Sequence, residues 1–163
     1  MLTFTVLGVA APKGSTKAFY VAKLGRAVTT ADNRRSAPWQ ESVVAAAQVA
    51  LDGALPLDGP VGLALSFYLP RPKTAPRRVT RPTKKPDLDK LARCVMDGLK
   101  RAGAYRDDAQ VIALLSEKSF AGGDDDPLRE RGLPRADVRV YLMAEQARVP
   151  GDLFMFAAAE RRV

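Results

Sequence analysis

The sequence predicts an α+β domain whose elements run β-α-β-α-β-β. Three observations carry that expectation. Residues 88–99 place Leu88, Leu91, Ala92, Val95, Met96 and Leu99 at i, i+3, i+4, i+7, i+8 and i+11, one continuous apolar stripe of a helix. Residues 61–69 (VGLALSFYL) form an apolar run of strand length behind the Gly59-Pro60 break. Segments 2–9 and 137–143 alternate apolar with polar side chains, as half-buried strands do.

The remaining elements follow in order. Residues 10–19 read as a loop broken by Pro12 and Gly14, and 19–30 have room for a short hairpin around Gly25. A helix is expected over 37–51, with Ser36 as N-cap and Pro38 in the first turn. Prolines 70, 72, 76, 82 and 86 then exclude regular helix or central strand. Lys85 precedes a proline and is pushed out of the helical region, so the second helix starts at Pro86 or just after. Lys100 and Arg101 in its last turn and Gly103 beyond it mark its end. A strand over 109–119, a glycine-rich acidic loop over 121–135 and the strand over 137–143 complete the pattern. No repeat or domain break divides the 163 residues, which are read as a single domain, 1–163, with 144–163 as a tail.

Composition narrows the chemistry. Lys and Arg number 26 against 18 Asp and Glu, a net charge of +8 that attracts polyanions such as nucleic acid or an anionic membrane surface. No apolar run approaches the roughly 20 residues that a spanning helix needs, and no secretory leader pattern opens the chain. A cytoplasmic location is therefore expected. The absence of histidine excludes Ser-His-Asp triads, Cys-His dyads and any His general base. Cys94 is the only cysteine, so neither an intrachain disulfide nor a cysteine-rich zinc site can form, and it reads as a small buried side chain. What chemistry remains rests on carboxylates, which suit oxygen-preferring metals.

Residues 84–110 (KKPDLDKLARCVMDGLKRAGAYRDDAQ) concentrate that chemistry. Asp87 and Asp89 stand at the mouth of the second helix, where partial positive charge favours anions. On a fully helical backbone they would diverge by about 200°, but with Asp87 still extended the two can converge. Asp107 and Asp108 follow the helix, and on a strand such neighbours face opposite sides, so one reaches a site while the other braces it or turns away. Arg93 lies one turn from Asp89 and can stabilise developing negative charge. Upstream, Arg71, Lys73, Arg77, Arg78, Arg81, Lys84 and Lys85 form a tract without acidic residues, suited to phosphate.

The residues alone leave two readings open: a metal site, or a helix cap at Asp87 with a turn at Asp107-Asp108. Asp97 and Lys100 are read as a solvated, ion-paired face, and Asp124, Asp125 and Asp126 as a solvated loop.

The stretches K-P-D-L-D-K-L-x-R-x-x-x-D-G-L and A-G-x-Y-R-D-D-A-Q-V closely resemble the RusA family of Holliday-junction resolvases, from Lys85 to Lys118. Ala11-Pro12-Lys13-Gly14 also looks like that family's proline-lysine-glycine loop, although Ser15 and Thr16 stand where basic residues often follow. The resemblance implies a mixed sheet of about four strands with helices packed on it, a homodimer, and Mg²⁺-dependent endonuclease cleavage of four-way DNA, with Mn²⁺ as a possible substitute. It implies that Asp87, Asp89 and Asp108 hold the metal, that Asp107 supports them, and that Arg93 occupies the place of a catalytic lysine. Lys90 replaces the usual asparagine, and Arg93 keeps the charge but not the geometry of an ammonium. Lys13, Lys17, Lys90 and the basic tract are then the expected DNA contacts, giving affinity and orientation but no sequence reading. Two alternatives remain: a basic DNA-binding module without chemistry, and a nuclease acting mainly on forks or flaps. In the tail, Gly151-Asp152-Leu153-Phe154 resembles peptides that dock on the bacterial sliding clamp, while packing or a dimer contact by Leu153, Phe154 and Phe156 is the preferred reading.

Overall fold

The computed structural model describes residues 1–14, 16–21, 23, 25–31 and 34–143, with 16–21 and 27–31 described by their backbone alone. The tail 144–163, with its clamp-like peptide, and the Lys17 side chain lie outside the described residues.

Strands β1 (Leu2–Leu7), β4 (Val61–Leu69), β5 (Val111–Phe120) and β6 (Arg135–Leu142) form one sheet in the order β1-β6-β4-β5. β6 runs antiparallel to both β1 and β4, whereas β4 and β5 are parallel, so the sheet is mixed as expected. A parallel pair needs a crossover, and helix α2 (Leu88–Ala102) supplies it. β2 (Thr16–Val21) and β3 (Arg26–Ala31) pair as a separate hairpin around Gly25, which adopts φ +60°. Helix α1 spans Ser36–Leu51.

Alternation along the strands explains which face is covered. Leu63, Leu65, Phe67 and Leu69 of β4 join Val138 and Val140 of β6 in one buried cluster with the helices. From α2 that cluster takes Leu91, Val95 and Leu99, each worth about 1.5–3 kcal/mol on burial. Trp39, Val43 and Ala47 of α1 complete it. The two helices meet closely at Gly98, where an added Cβ would lie 2.7 Å from a Val43 methyl. Cys94 is buried, as expected, and burial raises its thiol pKa to about 11.

Four sequence expectations are corrected. α1 starts at Ser36 itself, with Arg35 in the N-cap position and no side-chain cap. β1 stops at Leu7 because Gly8 turns to φ +116°. The strand expected over 109–119 starts only at Val111, because 108–110 form a 3₁₀ turn. The fourth correction concerns the acidic loop. Asp126 is 2% exposed and Arg135 1% exposed, and they form a two-pronged ion pair with N–O distances of 2.7 and 3.3 Å. Asp126 also accepts hydrogen bonds from the backbone N–H groups of Gly122 and Leu128. Arg135 stacks 3.8 Å from the Tyr68 ring centroid and reaches Asp137 at 3.2 Å. An apolar-framed strand thus supplies a partner that loop composition alone concealed.

Burial opposes ionisation of Asp126, yet hydrogen bonds from Arg135, Gly122 and Leu128 outweigh it and hold the carboxyl below its usual range. A depressed folded pKa contributes stability that is present above the unfolded value and lost as pH falls through the folded one. Asp126→Asn should therefore cost about 3 kcal/mol at neutral pH, since it strands a buried guanidinium. Urea unfolding should show that gap between variant and wild type shrinking below about pH 4.

Candidate functional site

Two clusters of charge lie at the two ends of α2. At the first, Asp87 occupies the N-cap position with extended backbone (φ −71°, ψ 135°), but its side chain makes no capping hydrogen bond. The cap reading of this aspartate therefore fails for the side chain, which instead stands 3.4 Å from Lys90 Nζ. Asp89, in the first turn, is exposed, and so is Arg93 one turn further on. The segment before the motif is clasped by Lys118 of β5, whose ammonium donates to the carbonyls of Lys84 (3.0 Å) and Pro86 (2.9 Å) around a cis Lys85–Pro86 bond. β5 thereby sets where the helix mouth sits.

At the other end, Asp107 and Asp108 divide their tasks. Asp107 caps the 3₁₀ turn by accepting from Ala109 N–H at 3.0 Å, and it binds Lys100 Nζ at 2.6 Å. The Lys100 hydrogen bond, with the Ala109 amide, lowers the Asp107 pKa, and the same contact raises that of Lys100. Gln110 pins the turn to the segment after α1: its amide nitrogen donates to the carbonyls of Leu57 and Gly59. Asp108 is the partner that points inward. Its Oδ1 is buried and has no hydrogen-bond partner among the described residues. The carboxylate lies against the Tyr105 hydroxyl, which donates to the carbonyl of Met96 at 3.0 Å. Burial first, then the charge of Asp108, pushes the Tyr105 pKa far above its ordinary value, so this hydroxyl stays a donor.

Lys13 runs along α2 between the two ends. Its backbone N–H donates to the Lys90 carbonyl at 3.0 Å, and its ammonium reaches Asp97 at 2.5 Å. Asp97 and Lys100 are thus ion-paired as expected, but through tertiary partners, Lys13 and Asp107, rather than along the helix. The structure does not bring all the candidate ligands together within one chain. Asp108 sits by Met96, and Asp89 to Met96 is about 10 Å along the axis at 1.5 Å per residue. Among the described residues, no three carboxylates stand within ligating reach of one point.

The basic tract also divides. Arg71 donates to the carbonyls of Val79 (2.7 Å) and Pro76 (2.8 Å) and stacks over Phe120, so it holds the tract's shape. Arg81 is paired with Asp125 at 3.1 Å. Lys73, Arg77, Arg78, Lys84 and Lys85 are exposed. Asp97, Tyr105 and Gln110 stand in the sequence motifs, but nothing in the sequence marked their partners: Lys13 for Asp97, and the Leu57 and Gly59 carbonyls for Gln110, are remote in the chain. Lys118 was visible only as the lysine closing the motif.

Residues 10–141 match the family described as endodeoxyribonuclease RusA. The chain belongs to the RusA family. It also resembles an uncharacterized protein, YqaN, of Bacillus subtilis (strain 168), with 33% identity over 75 residues. That alignment covers 40% of this chain and 52% of YqaN, so the chain spans about half the length of the curated relative it matches. The RusA match takes in both ends of α2, the Lys13 loop and the whole basic tract. No helix among the described residues is long and apolar enough to cross a membrane.

The Lys118 clasp generates a prediction for this RusA chain. Lys118→Met removes two charge-assisted hydrogen bonds, worth about 1.5–3 kcal/mol each at most. Trypsin should then cut after Arg77, Arg78 and Lys84 severalfold faster than in the wild type, with the circular dichroism spectrum unchanged.

Proposed function

We propose that this protein is a divalent-metal-dependent endodeoxyribonuclease that cuts branched DNA, with the four-way junction as its main substrate. The observation that carries the reading is the mouth of α2. There Asp87 and Asp89 stand beside an exposed cationic tract, and the side chain of Asp87 is not spent on capping. Solvated, ion-paired carboxylates would not require that placement, whereas hydrolysis of a polyanion does.

Mg²⁺, or Mn²⁺ in its place, fits the donors chemically: oxygen ligands alone, including the buried, unpartnered Oδ1 of Asp108. Asp87, Asp89 and Asp108 would hold it. Because Asp108 lies a good part of the helix away from the other two, we assign the ligand set to two copies of the chain. Asp87 and Asp89 come from one copy and Asp108 from the other, in a two-fold homodimer with two equivalent sites. When bound, the ion supplies a nucleophilic hydroxide and neutralises charge on the phosphate.

The protein's own groups do the rest. Lys90 and Arg93 neutralise charge beside the carboxylates, and the fixed charge of Arg93 suits stabilisation of the departing oxygen rather than proton transfer. Tyr105 lies against Asp108 and Lys13 holds Asp97 in the second half of α2, while Asp107 braces the turn that carries Asp108. Lys73, Arg77, Arg78, Lys84 and Lys85 bind backbone phosphates, so affinity should fall steeply with salt. Shape then selects the junction, since two sites related by a two-fold axis meet two opposed strands.

A labelled four-way junction tests this reading. The wild type should place paired symmetrical nicks with Mg²⁺ and none with EDTA, sparing linear duplex. Asp89→Asn should lower cleavage by at least about 100-fold while keeping junction binding. Binding without cleavage in either metal would instead identify a DNA-binding module, and preferred cutting of forks or flaps a different branched substrate.

The shared site has its own expected outcome. Asp89→Asn and Asp108→Asn, each inactive alone, should regain nicking when unfolded and refolded together. A mixed dimer then carries one intact site, giving about a quarter of wild-type sites and single rather than paired nicks. No recovery would place all three ligands in one chain.

A further inference from the structure

The tract from Pro70 to Pro86 does more than display cations: it roofs a cavity of about 320 Å³. Pro72, Pro76, Pro82 and Val79 wall it, with Leu69 and Phe120 from the ends of β4 and β5 among the lining. The polar lining comes from Thr74, Thr83, Lys84 and Lys85, and no carboxylate is among the lining residues. Both ends of the roof are held: Arg71 grips the carbonyls of Pro76 and Val79, and Lys118 those of Lys84 and Pro86. The cavity is therefore preformed, and its lining includes Pro86, the residue before Asp87.

We propose that this cavity takes an unstacked nucleotide of the DNA strand, with the base between the proline walls and its phosphate on Lys84 and Lys85. The inference rests on the nuclease reading and adds a subsite to it. Charge complementarity selects this occupant: an apolar slot rimmed by two lysines and free of carboxylates suits a flat heterocycle joined to an anion. The slot offers a base faces to stack on, and base stacking tolerates any sequence. Thr74 and Thr83 supply hydroxyls that donate or accept at the base edge. A base held here sets the next phosphate beside Asp87 and Asp89, so the pocket would also fix the register of the cut. A strand constrained in duplex cannot offer such a base without unpairing, whereas a branch point can, and this adds to the preference for branched DNA.

The test uses the full chain in EDTA with a single-stranded oligonucleotide carrying one 2-aminopurine, whose fluorescence reports stacking. Binding should change the emission. Ala75→Trp, which fills the cavity from its wall, should abolish that change and weaken binding about tenfold. Thr83→Tyr, filling from another side, should do the same, and both variants should keep wild-type affinity for linear duplex, which needs only the exposed cations. Equal single-strand affinity and emission in wild type and both variants would overturn the proposal. So would displacement of an apolar dye from the wild-type cavity by an apolar peptide but not by the oligonucleotide, which would assign the slot to a peptide. Because the readout needs neither metal nor a junction, its failure is separate from failure of the nuclease reading.

Discussion

Burial of the apolar stripe of α2 in the core it shares with β4, β6 and α1 is the interaction on which the rest of the chemistry depends. Leu91, Val95 and Leu99 are fully buried, so the helix cannot rotate without exposing them. Fixing one face of a helix fixes its other residues by the 3.6-residue period. The mouth with Asp87 and Asp89 is thereby set at one end, and Asp97 and Lys100 in the second half. Gly98 lets α1 approach from the side, and the parallel β4–β5 pair sets the direction in which α2 must return.

Around that frame, several cations act as ties rather than as free surface. Lys118 clasps the segment before the motif, Arg71 folds the tract on itself, Lys13 joins the N-terminal loop to Asp97, and Arg135 is buried against Asp126. A net charge of +8 counts all of these as DNA-binding capacity, yet several are spent inside the structure. Among the described residues, exposed cations remain at Lys73, Arg77, Arg78, Lys84 and Lys85 beside the helix mouth, and elsewhere at Lys23, Arg26, Arg34, Arg93, Arg129 and Arg131. The free cationic surface is thus smaller than composition suggests.

The separation of Asp89 from Asp108 along α2 is a constraint of a different kind. Like charges repel, and the neighbouring aspartates are held by cations or local amides: Asp87 by Lys90, Asp97 by Lys13, and Asp107 by Lys100 and the Ala109 amide. In the reading proposed above, a second copy of the chain would complete the set of Asp87, Asp89 and Asp108. On that proposal, metal binding, dimerisation and the placement of two opposed cuts would be one requirement rather than three.

The sequence by itself determined the elements and the residue types of the site. The stripe from Leu88 to Leu99, the run at 61–69 and the aspartates at 87, 89, 107 and 108 were legible because each signal is local: a period, a breaker or a short motif. Spacing alone left open which of Asp107 and Asp108 faces inward, and the family resemblance implied Asp108. The physical reason appears only in the tertiary structure. Asp107 is held by Lys100 and Ala109, leaving Asp108 against Tyr105. It likewise turned a run of three loop aspartates into one buried ion pair at Asp126, one surface pair at Asp125 and an exposed Asp124. Partners such as Arg135 for Asp126, Lys13 for Asp97 and Lys118 for the Pro86 carbonyl lie 9 to 84 positions apart. Pairing over such separations follows from how the sheet and helices pack, and no short pattern in the chain records it.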